Sequence, residues 1–317
     1  MKVLVTDKMA EEAIQVLKDA GHEVRYEELD ANQLLSEIDK YDALMVRSRT
    51  KAIKEVVEKG ASGNLKVIGR AGIGVDNIDI KTAGKLGIPV VNSPTGATAS
   101  VAELAIGHMI ALSRHIAKAD KTMKKGEWAK KQLKGNELGG KTLGLIGTGN
   151  IGKYTANLAK CFGMKIVGYD PFISKEDMEK DGIDKIENLE DLMGKSDYIS
   201  LHIPHIDATH HIVNKDMLSK MKKSSFIINC ARGGTVDEKA LYDALKEGVI
   251  AGAALDVFES EPPKESPLFE LDNVIMTPHL GASTKEGQIK AGTVCADQIN
   301  KVLKGEEPDY CVNKKFM

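Results

Sequence analysis

The stretch Leu143-Gly-Leu-Ile-Gly-Thr-Gly-Asn-Ile-Gly152 constrains the fold more than any other in this chain, because a short apolar run stops at glycines spaced Gly147-x-Gly149-x-x-Gly152. An amphipathic run over 153–162 follows at once. Strand, glycines and helix in that order suit a backbone that must turn tightly, approach a pyrophosphate closely and pack a helix against a strand. The helix N-terminus then offers free N–H groups and a positive dipole end to the phosphates. A second apolar run, Lys165-Ile-Val-Gly-Tyr169, ends in Asp170. That acid falls about 20 residues beyond the glycines, where it would meet the hydroxyls of an adenosine ribose and favour NAD over NADP. In a chain with 30 glycines the spacing alone is a weak signal, and the strand, the helix and the acid supply the weight.

The rest of the chain repeats the same rhythm. Val3-Leu-Val5, Glu23-Val-Arg-Tyr26, Ala43-Leu-Met-Val46 and Val67-Ile-Gly69 read as short strands with helical patterns between them. Such alternation predicts βαβ units and a parallel sheet covered on both faces, with ligand loops at the carboxyl ends of the strands. Two loops stand out there, Arg47-Ser-Arg-Thr50 and Gly69-Arg-Ala-Gly-Ile-Gly-Val-Asp-Asn77. Apolar residues at helical spacing through Val101, Leu104, Ala105, Met109 and Leu112 predict one long helix over 98–123, capped by Thr98 or Ser100 ahead of Glu103. This helix is expected to open a second domain, which continues through strands at 198–201, 226–229, 250–255 and 274–276. A last helical pattern over 285–304 is expected to return to the first domain. The expected boundaries are 1–96 with 285–317 for the first domain and 97–284 for the second, with the ligand cleft between them.

Composition excludes several classes. The 317 residues carry 44 basic and 46 acidic side chains, with no block of like charge suited to a nucleic-acid arm or a polybasic membrane patch. No apolar stretch approaches the roughly 20 residues of a membrane span, and the first residues lack a signal peptide's apolar region, so a soluble, cytoplasmic protein is expected. Cys161, Cys230, Cys295 and Cys311 form no CxxC pair and have no histidine at metal spacing, so no metal is expected and a reducing compartment fits. Cys230 ends an apolar run and reads first as a buried small side chain.

Three residues in the second half could do chemistry: Arg232, Glu261 and His279. Moving a hydride between a nicotinamide and an alcohol carbon needs a group that exchanges the hydroxyl proton, and histidine titrates nearest the working pH. A carboxylate beside it favours the imidazolium and fixes the tautomer. Arginine grips a substrate carboxylate with a planar fork and polarises the adjacent carbonyl. Spacing alone does not single out His279 from the other seven histidines, and the adjacent His210 and His211 read as surface groups.

The order of Gly69-Arg-Ala-Gly-Ile-Gly-Val-Asp-Asn77, Gly147-Thr-Gly-Asn-Ile-Gly152, Asn229-Cys-Ala-Arg-Gly-Gly234, Ala254-Leu-Asp-Val-Phe258 with Glu261-Pro-Pro, and Thr277-Pro-His279 resembles the D-isomer-specific 2-hydroxyacid dehydrogenases along essentially the whole chain. The resemblance implies an α/β protein of two doubly wound parallel-sheet domains, a Rossmann NAD-binding domain inserted into a flavodoxin-like substrate domain. It implies His279 as proton donor or acceptor, Glu261 as its paired carboxylate and Arg232 as the carboxylate-binding group. For the cofactor it implies Gly147, Gly149, Asn150, Ile151 and Gly152 at the pyrophosphate, Asp170 on the ribose and Asp256 at the nicotinamide amide. Ile73, Ile203, Cys230, Ala231, Gly281 and Ala282 are implied along the rest of the cofactor. For the substrate it implies Arg47, Ser48, Arg70, Gly72 and Gly74, an arginine-bearing wall suited to a phosphorylated 2-hydroxy acid.

Members of the family commonly pair through their nucleotide-binding domains, so a homodimer is implied, with the stretch 126–130 approaching the neighbouring subunit. Ala97 and Ile206 depart from residues frequent among the phosphate-handling relatives, an asparagine and a threonine, which bears on the choice of acid. The same scaffold serves glyoxylate or hydroxypyruvate reduction and D-lactate-type oxidation, and more distantly NAD-sensing corepressors. No regulatory domain beyond Met317 is expected, and so no serine feedback by that route.

Overall fold

A computed structural model of the chain describes residues 1–317. It contains two compact α/β units, one made of Met1–Thr98 with Ala282–Met317, the other of Ala99–Gly281.

The first unit runs β1 (Lys2–Val5), α1 (Glu11–Asp19), β2 (Glu23–Tyr26), α2 (Ala31–Glu37), β3 (Ala43–Val46), α3 (Lys54–Ala61), β4 (Val67–Arg70), α4 (Ile80–Lys85) and β5 (Val90–Val91). Its sheet has the order β2-β1-β3-β4-β5 and every pairing is parallel. This is the flavodoxin-like order. All four residues of β3 are buried, as a parallel strand covered on both faces requires. Local chemistry sets helix starts: Asp30 accepts from the N–H groups of Asn32 and Gln33 while Gln33 reaches back to the Asp30 N–H, a reciprocal cap for α2. The helix over Lys285–Leu303 also belongs to this unit. It lies so close to β4 that a Cβ on Gly69 would stand 2.5 Å from Ile299 and 2.8 Å from the Cys295 sulfur.

The second unit begins with α5 (Thr98–Ser113) and α6 (Ile116–Lys124). It then alternates β6 (Thr142–Ile146), α7 (Asn150–Cys161), β7 (Lys165–Tyr169), α8 (Lys175–Lys180), β8 (Asp184–Lys185), α9 (Leu189–Lys195), β9 (Tyr198–Leu201), α10 (Lys215–Lys220), β10 (Phe226–Asn229), α11 (Glu238–Lys246), β11 (Gly252–Leu255) and β12 (Val274–Met276). The order is β12-β11-β10-β9-β6-β7-β8, all parallel, so the direction of winding reverses between β6 and β9. That reversal is the Rossmann switch point, at the carboxyl ends of the strands where such sheets hold ligands.

Two expectations need correction. The single helix expected over 98–123 is two helices, broken where His115 adopts φ 53° in the left-handed region. The Ser113 carbonyl accepts from the Asn136 N–H at 2.9 Å, and the Ser113 hydroxyl bonds to Met109 O and to Tyr198 Oη. A distant segment therefore takes the place of the next helical turn. Neither expected cap operates: Ser100 lies buried inside α5, and the buried Thr98 hydroxyl oxygen makes no hydrogen bond. The edge strand β8 carries no apolar alternation, so pattern does not reveal it; it exists through backbone pairing of Asp184 and Lys185 with β7.

Candidate active site

The glycine turn is built as its spacing predicts, with a separate reason for each glycine. Gly147 has φ 90°, and a Cβ there would fall 2.6 Å from the His202 carbonyl. A Cβ on Gly152 would fall 2.4 Å from the Gly147 carbonyl, so this residue lets α7 close onto the turn. A Cβ on Gly149 would meet nothing within 4 Å. The fold does not require a glycine at that position, whereas the approach of a phosphate does. Gly149 is also the N-cap of α7 and supplies no side-chain acceptor, which leaves the first-turn N–H groups of Asn150, Ile151 and Gly152 for an anion.

Asp170 follows β7. Its Oδ2 accepts from the Thr148 N–H at 2.9 Å and its Oδ1 from the Phe172 N–H at 3.0 Å, so the acid is already oriented at the mouth of the glycine turn. These features fit a dinucleotide with unphosphorylated ribose hydroxyls. Below the turn, the His202 Nε2 lies 3.0 Å from the Ser200 hydroxyl, and burial pushes its imidazole down to about 4. Ile203 and Ala231 are partly buried against the core of this unit.

A histidine that is to exchange protons needs a defined tautomer, and a carboxylate stands beside one nitrogen of His279. Its Nδ1 is 2.7 Å from Glu261 Oε2, and both side chains are partly exposed. Glu261 Oε1 accepts from the Phe258 N–H at 3.1 Å, which orients the carboxylate. His279 itself sits at φ 53°, a conformation that costs a residue with a Cβ about 1 kcal/mol.

Asp256, directly after β11, offsets that strain. It is fully buried, and its carboxylate accepts from the Thr277 hydroxyl at 2.5 Å, the Leu280 N–H at 2.7 Å and the Gly281 N–H at 2.8 Å. Its backbone carbonyl takes the His279 N–H at 2.9 Å. One buried acid thus fixes the whole turn that presents the imidazole. His108 on α5 extends the network, with its Nε2 3.2 Å from the Thr277 hydroxyl.

Arg232 follows β10 in a turn clamped by Asn229. The Asn229 side chain accepts from the Ala231 N–H at 3.0 Å and donates to the Arg232 carbonyl at 3.0 Å, and the Thr235 hydroxyl donates to the same carbonyl at 2.7 Å. A Cβ on Gly233 would fall 1.8 Å from the Phe258 carbonyl, so the Arg232 turn lies directly against the segment that carries Glu261. Cys230 is buried, and burial pushes its thiol far above the ordinary range, so it is no thiolate nucleophile.

In the first unit the two expected substrate loops are tied together. The Asn77 amide donates to the carbonyls of Arg47 at 2.8 Å and Thr50 at 2.7 Å, and Arg70 Nη2 donates to the Ser48 hydroxyl at 3.2 Å. A Cβ on Gly72 would fall 1.9 Å from Arg70 Nη1, so the guanidinium lies across that glycine. Gly74 lies in the same loop, as does Ile73, whose carbonyl takes the Asn92 amide at 2.6 Å. Ala282 opens the second segment of this unit.

Arg49 turns inward to Thr6 O, Leu29 O and Asp7, whereas Arg47 stays at the strand end with one bond to Lys8 O. Asp7, almost fully buried, accepts from the N–H groups of Arg47 and Thr50 and from the Thr50 hydroxyl. Sequence reasoning passed over Asp7 and used Asn229 only within a motif; the available signal was a polar residue placed directly after, or ending, an apolar strand.

The histidines carry a pH prediction. Burial lowers the pKa of His108 and of His202 in the folded chain, so between pH 6.5 and about 4 the unfolded chain binds more protons. Stability therefore falls as pH drops through that window. Thermal melts from pH 7 to 4.5 should show Tm falling, with a shallower slope in His202→Asn; an identical slope in that variant removes His202 from the effect.

Comparison with known proteins gives the family. Residues 106–281 match the family model described as D-isomer specific 2-hydroxyacid dehydrogenase, NAD binding domain. The chain is 51% identical over 313 residues to D-3-phosphoglycerate dehydrogenase of Methanocaldococcus jannaschii, a match that takes in 99% of this chain and 59% of that protein. It is 47% identical over 306 residues to hydroxypyruvate reductase of Thermotoga maritima, covering 95% of this chain and 98% of that one. Among solved structures, a glyoxylate reductase from Paecilomyes thermophila superposes with a TM-score of 0.89 at 28% identity, over 99% of each chain. With the glycine turn, the oriented acid and the histidine–glutamate couple in place, the chain belongs to the D-isomer specific 2-hydroxyacid dehydrogenase family and carries that family's NAD binding domain.

Proposed function

We propose that this chain oxidises 3-phospho-D-glycerate to 3-phosphooxypyruvate with NAD, the step that opens serine synthesis. The observation that carries a 2-hydroxy acid chemistry is the 2.7 Å contact between His279 Nδ1 and Glu261 Oε2. With Nδ1–H donated to the carboxylate, the Nε2 lone pair is the atom that takes the proton of the C2 hydroxyl. Glu261 then stabilises the imidazolium. Arg232 grips the C1 carboxylate and, in the reverse direction, polarises the C2 carbonyl. Bound NAD supplies the hydride acceptor.

Gly147, Gly149, Asn150, Ile151 and Gly152 hold the pyrophosphate, Asp170 the ribose, and Asp256 serves the nicotinamide end through the turn it fixes. Ile73, Ile203, Cys230, Ala231, Gly281 and Ala282 line the remainder. Arg47, Ser48 and Arg70, with the close backbone of Gly72 and Gly74, take the substrate phosphate. Four free cysteines suit a reducing, cytoplasmic setting. No helix is long and apolar enough to cross a membrane.

The same reading includes a homodimer through the NAD-binding unit. No residue of α6 is buried, and Ile116, Met123 and Trp128 are 50%, 53% and 79% exposed. Ile116 and Met123 line a shallow depression together with Ile110, Arg114, Ala119 and Asp120. A second copy covering this apolar face accounts for it.

A second reading, hydroxypyruvate reduction, is favoured by the Thermotoga maritima relative, which the chain matches over 98% of its length. A substrate panel with NAD or NADH separates the two. The phosphorylated acid should exceed D-glycerate in kcat/KM by about 10²-fold, an advantage that Arg70→Gln should remove, because phosphate accepts charge-assisted bonds the unphosphorylated acid lacks. A preference for hydroxypyruvate over phosphooxypyruvate establishes the second reading.

A further inference from the structure

Glu261 stands on the stretch 256–266, between β11 and a 3-10 turn over Pro267–Glu270, and no helix or strand ladder positions it there. The segment is nevertheless clamped. The Glu259 N–H donates to Glu238 Oε1 at 2.6 Å, and the Glu238 N–H, in the first turn of α11, donates to Glu259 Oε1 at 3.1 Å. The same Glu259 oxygen lies 3.0 Å from His211 Nε2, and His211 Nδ1 lies 3.9 Å from Asp237. The Glu259 carboxylate thus bridges the N-terminus of α11 and the His211 imidazole.

His211 is itself held in the left-handed region at φ 48°, with its N–H donated to the Gly234 carbonyl at 2.8 Å. One residue before Glu259, the Phe258 carbonyl presses on Gly233 and the Phe258 N–H binds Glu261 Oε1.

We propose that Glu238, Glu259 and His211 form a positioning clamp for the proton-transfer couple: through the Glu259 backbone they set where Glu261 stands, and through Phe258 and Gly233 where Arg232 stands. The proposal rests on the reading of His279 and Glu261 given above. None of the three clamp residues touches the reacting atoms. Charge works alongside geometry, because the carboxylates of Glu238, Glu259 and Glu261 gather on adjoining turns, with His211 against Glu259 and His279 against Glu261. Burial, with the neighbouring Glu259 and Glu261, raises the Glu238 carboxyl above its ordinary range, opposed by the hydrogen bond from the Glu259 N–H and more weakly by His211. A shift of the clamp by a fraction of the Glu261 to His279 contact lengthens the bond that orients the imidazole.

The test compares Glu238→Ala, which removes the acceptor for the Glu259 N–H, with Glu238→Gln, which keeps an oxygen there. In the full-length protein, Glu238→Ala should lower kcat about tenfold while KM for NAD stays within about twofold, and Glu238→Gln should recover most of the loss. A second readout needs no substrate: the low-field Nδ1–H proton signal of His279, identified by its loss in His279→Asn, should broaden or move in Glu238→Ala and return in Glu238→Gln. Wild-type kcat and an unmoved signal in folded Glu238→Ala overturn the clamp. Should that variant not fold, His211→Asn, which tolerates the left-handed backbone, is expected to move the same signal in the same direction, and an unmoved signal there is equally adverse. If the wild-type protein turns over no 2-hydroxy acid, the functional reading fails, while the proton signal still decides the clamp.

Discussion

His279→Asn is expected to lower kcat for 2-hydroxy acid oxidation by about 10³-fold, within the range that a positioned general base contributes. Asparagine is the informative replacement because residue 279 sits at φ 53°, a region asparagine enters more readily than alanine. The turn does not depend on the imidazole: it hangs from Asp256 through the N–H groups of residues 279, 280 and 281. The variant therefore removes the imidazole and leaves its support. NADH binding, followed by fluorescence, should stay within about threefold of wild type, since uniform binding and transition-state stabilisation are separable. Turnover equal to wild type takes the imidazole out of the proton transfer.

The second large effect belongs to Arg232. Arg232→Lys should lower kcat/KM for the 2-hydroxy acid by about 10²-fold or more, the scale of losing one preorganised group aimed at a developing charge. Charge is retained in this variant, but the ammonium cannot present two parallel N–H donors to a carboxylate. The turn should survive, because Asn229 and Thr235 bind the Arg232 carbonyl and not its side chain. Steady-state kinetics against the preferred acid and against an analogue lacking the carboxylate provide the check. An equal loss on both substrates shows that the arginine does not read the carboxylate.

Much of the architecture is legible in the amino-acid order. The apolar runs at 3–5, 43–46 and 67–69 correspond to β1, β3 and β4, because a parallel strand buried on both faces must be continuously apolar, while the mixed run 23–26 is the half-exposed edge strand β2. The glycine turn was legible for a related reason. Gly147 supplies a left-handed backbone for the turn and Gly152 clears the Gly147 carbonyl five residues before it, demands a local spacing can encode.

Other features depended on distant partners. The end of α5 is decided by Asn136 and Tyr198, neither of which enters a hydrophobic periodicity over 98–123. The pairing of Glu261 with His279 was proposed from a motif order, and no spacing in the sequence distinguishes His279 from His202, whose burial makes it a structural histidine. Asp256, Asn229 and Asp7 look alike in sequence as polar residues at or just after strand ends. Only their surroundings show that each turns its hydrogen bonds into the shape of a loop.

By itself, then, the amino-acid order determined the layered α/β class, the glycine-turn grip on a dinucleotide and the residue types available for hydride chemistry. These follow from periodicity and from short-range steric demands. The tertiary structure alone decided which acid holds which turn, where the long helical pattern breaks, and that Nδ1 of one exposed histidine faces a carboxylate. The physical reason is that a buried polar group must find a partner wherever the folded chain brings one, and that partner can lie anywhere in the sequence.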